Sequence, residues 1–522
     1  MIDVVGRRTL GSVLAHHART APDRPFLIYE APAGQASWTY AEFDALVNRT
    51  AAALAGLGLA PGQAFNVHLP NCPEFLALWF AAARLGAIMT PTNVALTAAE
   101  LAYIVDHSES RLMITDAERL PVAAAVRQRC PLVQELLVTG DAPAPDARPL
   151  APLVAGAPAA PPAYTPSSDD VLALLYTSGT TARPKGCLVT QAAYLYAGEC
   201  MAKATRSGPT DRHLVVLPLF HAGAQTHSVM PALVSGAGVA LMHRFSASRF
   251  FDQATRHGCT ISDLFAAPIR MILGQPARAA DRATPLRLLT FAQNLTPAEL
   301  AAWQERCGVP LMQLWGMTET VGLPLMNPLD DERDPLSLGL PVLGYQVKVV
   351  DQETGAEVGP GGAGQLLVAG VPGRTLMLGY FKDPAATAAT LRDGWLASGD
   401  IVRIGENGLL YFVDRAKDLI KRAGVNIAAG EIEAVLRGHP GVFDAAVVGI
   451  PDPIRDEAIV AFVIPRAGMA VDAAGLLAWC RERLAAFKLP ERFELVAEFP
   501  RTPVGKIQKH LLRAQALQRH EA

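Results

Sequence analysis

The chain has 522 residues, half of them hydrophobic, and 46 Lys and Arg against 49 Asp and Glu leave a formal net charge of -3. That length buries a large core and calls for more than one domain, and so balanced a charge carries no nucleic-acid footprint. The seven cysteines (72, 130, 187, 200, 259, 307 and 480) are odd in number and never in Cys-x-x-Cys spacing, which argues against a disulfide framework or a zinc site and for a reducing compartment.

No signal-peptide core opens the chain and no run of about 18 apolar residues occurs, so the expectation is a cytoplasmic protein without an integral membrane segment. Between residues 9 and 59 the pattern predicts a helix, a short strand at 26–29 and a second helix at about 40–57. Thr39 is placed to cap that second helix, with Glu42 completing the Ser/Thr-x-x-Glu spacing. Residues 74–88, EFLALWFAAARLGAI, are apolar nearly all round, which puts a helix inside, between layers. The Ala/Pro-rich stretch 141–162 reads as neither a regular helix nor a central strand and is expected as a surface excursion.

Strands at 213–217, 238–242 and 286–290 alternate with helical stretches such as 246–257, the pattern of a layered α/β domain with largely parallel sheets. Between 346 and 370 the texture turns to short strands and glycine turns, a β-rich subdomain. After Asp414 the chain starts again: strands at 445–450 and 458–464 flank the turn PDPIRDE. A helix at about 476–487 then places Leu476, Cys480, Leu484 and Phe487 on one face. This tail is expected to form a small α+β domain.

Residues 171–190 read VLALLYTSGTTARPKGCLVT. Six apolar residues predict a buried strand that runs into a loop of hydroxyls and glycines. Gly179 lets the backbone approach an anion, Thr177, Ser178, Thr180 and Thr181 offer hydroxyl donors, and Lys185 supplies positive charge. The loop is suited to phosphate, yet it lacks the Gly-Lys-Ser/Thr of the common P-loop. Taken alone, it also reads as a solvated hairpin.

YTSGTTARPKG resembles the phosphate loop of the adenylate-forming enzymes: acyl- and aryl-CoA synthetases, adenylation domains of peptide synthetases, and firefly-type luciferases. With the motifs that follow, the similarity covers nearly the whole chain. In QLWGMTET it implies that Thr318 and Glu319 act with the magnesium ion that accompanies ATP, while Trp315 and Gly316 lie beside the adenine, where relatives often carry tyrosine. Asp400 and Arg415 take the place of the ribose clamp, a carboxylate for both hydroxyls and a guanidinium beside it. In isolation either reads as a turn aspartate or a surface ion pair.

The resemblance divides the chain into an AMP-binding domain at 1–414, a hinge at 415–417 and a mobile C-terminal lid at 418–522. Lys417 stands at the hinge, where many relatives have aspartate, and Gly424 and Lys421 lie on the face toward CoA. Lys506, in RTPVGKIQK, matches the second catalytic lysine, which offsets charge on the phosphoryl transition state. Without the resemblance, Lys506, Lys509, His510 and Arg513 read as a charged tail. His221, in PLFHAGA, matches a gate beside the acyl site, although a lone histidine also reads as a structural residue.

The implied reaction joins a small carboxylic acid to CoA through an acyl-adenylate, with ATP, Mg2+ and CoA as cofactor and co-substrates. The short sequence after Lys506 suggests free CoA rather than a carrier domain as acceptor, and a homodimer is one assembly this reading allows. NCPEFLALWFAAARLGAIMTPTN and GIPDPIRDEAIVAFVI resemble the crotonobetaine/carnitine-CoA ligase branch. Phe265, Phe291 and Asp263 lie in segments that line the acyl pocket of relatives. Ala292, Gln293 and Asn294 replace a Gly/Ala-rich turn there and narrow or polarise it. A short or medium polar acid is expected. A medium-chain fatty or aryl acid is the alternative, and a degenerate nucleotide-binding regulator is the reading that competent residues at every catalytic position argue against.

Overall fold

The computed structural model describes all residues except 1–2, 33, 141–145, 178–183, 331–332, 416–417, 423–424, 453–455, 502–506 and 520–522. It separates into two compact units, Met1–Val347 with Val368–Leu396, and Lys348–Leu367 with Ala397–Ala522. Residues 415–417, expected as a hinge, fall within the span of the second, and Lys417 lies outside the described residues.

Two sheets build the first unit. In one, Leu311–Trp315, Leu288–Ala292, Ile261–Phe265, Arg212–Val215, Gly238–Met242 and Pro25–Ala31 lie side by side, all parallel, with Gly34–Thr39 antiparallel at one edge. In the other, Val171–Thr177, Ile88–Pro91, Ala64–His68, Leu112–Thr115, Glu135–Val138 and Arg148–Pro149 are parallel neighbours, and Lys185–Thr190 turns back antiparallel on Val171–Thr177. Helices cover these sheets, so the strands read as short apolar runs rather than alternating patterns.

Local chemistry fixes the helices much as the sequence predicts. The Thr39 hydroxyl accepts the Glu42 amide at 3.2 Å and the Glu42 carboxylate accepts the Thr39 amide at 2.8 Å, closing a capping box at the start of Tyr40–Gly56. In Pro73–Leu85 every residue except Glu74 is buried. Arg84 survives there because it pairs with Asp44 and Asn48. Gly86, at φ +66°, ends the helix where a Cβ would lie 2.3 Å from the Tyr164 ring.

Two expectations fail. Leu150–Gly156 is a helix despite its composition, because Pro152 occupies the first turn, where its missing N–H has no partner to lose. Near the C-terminus the helix Ala473–Arg481 ends before Phe487, which is 44% exposed, although Leu476, Cys480 and Leu484 do enter the core.

The second unit contains an antiparallel sheet in the order Val425–Ile427, Ile420–Arg422, Asp456–Pro465, Val442–Asp452, with Arg492–Leu495 parallel on Asp456–Pro465. Its central strands bury both faces. Ala445, Val447 and Ala461 pack toward Ile432, Leu436 and Leu476, whereas Ala446, Val448 and Phe462 pack toward Leu512 and Ala516 of Lys509–Gln518.

One buried side chain ties the first unit's sheets together. Asn71, just past Ala64–His68, donates to Leu217 O at 3.0 Å and Met242 O at 3.1 Å and accepts the Leu219 amide at 2.8 Å. Leu217 and Leu219 follow Arg212–Val215 and Met242 ends Gly238–Met242, so the carboxyl ends of both sheets are held in one place. Asn71→Ala should cost about 2 to 3 kcal/mol in urea unfolding, because it strands buried backbone groups. A loss no larger than that of an exposed substitution would show that the tie is dispensable.

Candidate active site

The hairpin expected to hold phosphate enters the described structure at its two ends. Thr177 closes one strand and pairs in register with Lys185, which opens the next, whereas Ser178, Gly179, Thr180 and Thr181 lie outside the described residues. The Lys185 ammonium sits 5.0 Å from the centroid of the Tyr380 ring, and the Tyr380 hydroxyl donates to Glu319 Oε1 at 2.8 Å. Glu319 is 7% exposed, and its carbonyl accepts the Met377 amide at 2.9 Å. Burial first, and then the Glu319 carboxylate, push the Tyr380 phenol above its ordinary pKa, so it remains a donor.

Lys185, Tyr380 and Glu319 therefore form one connected group: a cation, a phenol and a buried carboxylate. Tyr380 was not singled out in the sequence. It belongs to a two-residue strand, Gly379–Tyr380, that pairs with Cys187 and Leu188, and no short motif marks it. Among the described residues no group of three or more His, Cys, Asp or Glu could hold a metal ion. One carboxylate with an oxygen left beside its phenol bond suits magnesium, which takes one or two carboxylates and otherwise phosphate and water oxygens.

Trp315 ends the strand Leu311–Trp315 and is 7% exposed. At Gly316, a Cβ would lie 2.8 Å from Gly322 O, so the turn into Thr318–Thr320 accepts no side chain there. Thr318 is half-buried. Thr320, by contrast, accepts the Met317 amide at 3.0 Å and donates to Gly322 O at 2.8 Å, which makes it a turn residue.

A second group gathers at the ends of the parallel strands, where ligands enter open α/β sheets. His221 is half-buried against Phe220, ring centroids 4.6 Å apart. Six residues on, His227 lies in a π-helical turn, Ala224–Val229, with its Nδ1 3.3 Å from Asp263 Oδ2. The Thr290 hydroxyl donates to the other Asp263 oxygen at 2.7 Å. Asp263 is 4% exposed. Phe265 and Ala292 lie in register on the same face as Asp263 and Thr290.

Phe291, one residue out of phase, is fully buried in the core with Leu264 and Trp303, so the structure places it on the opposite face from Asp263. Gln293 takes the left-handed conformation at φ +78°, and the exposed Asn294 accepts the Gln313 amide at 3.1 Å. His227 was missed because its partner is far away in the chain. The HxxxxxH spacing in PLFHAGAQTHS carries no helical period that would flag it.

In the second unit, Asp400 and Arg415 are antiparallel register partners. The Asp400 amide donates to the Ser398 hydroxyl at 3.0 Å, and that hydroxyl donates to Leu366 O at 2.7 Å. Lys421 lies in the strand Ile420–Arg422, opposite Asn426. Gly424 and Lys506 lie outside the described residues.

Residues 14–381 match the AMP-binding enzyme family, and residues 431–506 match the AMP-binding enzyme C-terminal domain. The chain belongs to this family, as an adenylate-forming acyl-CoA ligase. It is 36% identical over 519 residues to the crotonobetaine/carnitine–CoA ligase of Salmonella paratyphi A, spanning 98% of this chain and 100% of that one. Among solved structures it resembles the anthranilate CoA ligase AuaEII in complex with anthranoyl-AMP, with TM-score 0.90, 27% identity, and 99% of this chain and 98% of that one covered. It also resembles ATP-bound MatB from Rhodopseudomonas palustris, with TM-score 0.87, 27% identity, and 97% and 99% covered.

Tyr380→Phe keeps the ring beneath Lys185 but frees the Glu319 carboxylate. The magnesium concentration for half-maximal pyrophosphate release should rise about tenfold, the lower range for a hydrogen bond to a charged group. An unchanged requirement would rule out the expected role of Glu319 with magnesium.

Proposed function

We propose that the protein is a carboxylic acid–CoA ligase for a short or medium polar acid, a carnitine-like betaine. The observation that carries the choice of acid is Asp263, a buried carboxylate whose charge no lysine or arginine matches among the described residues. A quaternary ammonium cannot donate a hydrogen bond and is held by negative charge and aromatic faces. Inside a protein, opposite charges about 4 Å apart attract by roughly 4 kcal/mol at an effective dielectric near 20. Asp263 supplies the charge, and Phe265, on the same face, supplies the aromatic surface. The name of the Salmonella relative supports the same class of acid.

In this reading a carboxylate oxygen attacks the α-phosphorus of ATP and pyrophosphate leaves, then a CoA thiolate attacks the acyl carbon and AMP leaves. Bound magnesium supplies charge neutralisation at the phosphates, and Glu319 holds it while Tyr380 fixes the carboxylate. Lys185, with Thr177 and the loop residues Ser178 to Thr181, steadies the phosphates. Asp400 and Arg415 hold the ribose, and Trp315 packs beside the adenine. His221 borders the acyl site. By resemblance to the family, Lys506 is assigned to the first step and Gly424 to the second.

The test is ATP-dependent pyrophosphate release across γ-butyrobetaine, crotonobetaine, carnitine, fatty acids and aryl acids, each with and without CoA. A betaine should lead, with AMP release dependent on CoA; robust turnover of palmitate and indifference to betaines would overturn the assignment. Asp263→Asn should raise KM for the preferred betaine about 10- to 100-fold, the range expected for losing a buried charge contact. Its uncharged tert-butyl isostere should change about threefold or less. Equal losses on both acids would mean that Asp263 does not read charge.

A further inference from the structure

The helix Ala98–His107 opens on a capping box, in which the Thr97 amide donates to the Glu100 carboxylate at 2.9 Å and the Glu100 amide donates to the Thr97 hydroxyl at 3.4 Å. Leu101 and Val105 bury one face of it in a core with Met113. Tyr103 and His107 lie on another face, one turn apart, with ring centroids 5.5 Å apart and 26° between their planes. Each carries a polar tip beyond that stack.

Those tips reach the two limbs of the hairpin that ends in Thr177 and Lys185. The Tyr103 hydroxyl donates to Pro184 O at 3.2 Å, and Pro184 directly precedes Lys185. His107 Nδ1 lies 2.7 Å from the Tyr176 hydroxyl, and Tyr176 directly precedes Thr177. Tyr176 and Gly186 are register partners, and a Cβ on Gly186 would come within 3.2 Å of the Tyr176 ring, so the phenol has room beside the neighbouring strand because residue 186 has no side chain. The Phe381 ring meets the His107 ring near right angles at 5.7 Å, and the Phe381 amide donates to Gly186 O at 2.8 Å. Phe381 directly follows Tyr380, the phenol bonded to Glu319. The Lys382 ammonium donates to His107 O at 3.0 Å, which ties the same stretch to the end of the helix.

We propose that Tyr103 and His107 brace Lys185 and Tyr380 in the geometry that adenylation requires, Tyr103 through Pro184 and His107 through Tyr176 and Phe381. This rests on the reading of Lys185 and Glu319 given above. Both are positioning residues: they hold the residues that adjoin Thr177, Lys185 and Tyr380 and act through them. The Lys185 ammonium and the Tyr380 ring stand 5.0 Å apart, each on a strand end that this helix touches. Displacement of such a group by about 1 Å can cost about 10²-fold.

In the full-length protein, Tyr103→Phe keeps the ring stack and loses the hydrogen bond to Pro184, and it should lower kcat for pyrophosphate release about three- to tenfold. His107→Phe keeps a ring against Tyr103 and Phe381 but removes the partner of the Tyr176 hydroxyl, and it should lower kcat about tenfold. KM for the acid, and thioester formation from supplied acyl-adenylate, should stay within about twofold, because pyrophosphate has left before the second step. His107→Asn offers the hydroxyl both an acceptor and a donor, and it should recover adenylation to within about threefold of the unaltered protein. In a Lys185→Met background, Tyr103→Phe should cost about twofold or less, because the brace has no ammonium left to place.

Equal loss of both half-reactions, or a full additional loss in the Lys185→Met background, would make the stack merely structural and overturn the proposal. Normal adenylation in Tyr103→Phe and His107→Phe, with Lys185→Met deficient, would overturn the brace alone. Normal adenylation in Lys185→Met itself would remove the role of Lys185 and the brace with it.

Discussion

Asn71 commits its whole amide to backbone, two carbonyls and one N–H, and in doing so joins strand ends from the two sheets of the first unit. The geometry around Asp263 depends on this tie. Leu219, which it holds, also receives the Gln225 amide at 2.6 Å, and Gln225 lies in the turn that carries His227 to Asp263. A carboxamide suits the task because it donates and accepts at once while bringing no charge into a region without solvent. Aspartate would keep the acceptor and lose both donors.

The buried carboxylates sort themselves by how fully they are satisfied. Glu433 and Asp444 each hold an arginine, a second cation and a backbone amide, a saturated network whose members restrain one another. Glu319 has a phenol on one oxygen. Asp263 has a hydroxyl and a histidine ring at 3.3 Å, with no guanidinium or ammonium among the described residues. Burial without a matching cation is costly, and a site that binds a cation gains from that cost. Asp281 of the first unit is saturated in the same way, by Arg278 and Arg306, so Asp263 stands apart from its own unit's paired carboxylates as well.

What the sequence revealed and what it hid follow the reach of each interaction. Thr39 and Glu42 are three residues apart, so their capping box could be read directly. The apolar helix Pro73–Leu85 was equally visible, because burial on all faces leaves no polar stripe. The Leu150–Gly156 helix was hidden by its prolines, which weigh against a helix only beyond the first turn. The alternation of strands and helices announced the layered α/β fold, but not which face of Leu288–Ala292 meets Asp263. A period of two makes neighbours opposites, so Thr290 and Ala292 share the face of Asp263 while Phe291 enters the core. Lys509 looked like part of a solvated tail because Glu433 lies 76 residues earlier, beyond any local pattern.

His227 shows the same limit in a different way. Patterns of helical periodicity assume 3.6 residues per turn, and the π-turn at Ala224–Val229 adds a residue to that repeat. Side chains after it are rotated relative to an α-helix, so a residue that a regular helix would direct elsewhere comes against Asp263. The Thr226 hydroxyl donates to Ala222 O at 2.9 Å within this stretch, satisfying a carbonyl near its start. Wider turns cost packing along the helix axis and persist where tertiary contacts favour them. Here the contacts are Gln225 to Leu219 and to the Tyr194 hydroxyl on one side, and His227 to Asp263 on the other. The irregular turn and the buried carboxylate therefore belong to one arrangement: the first brings an imidazole to the second without bringing a permanent positive charge.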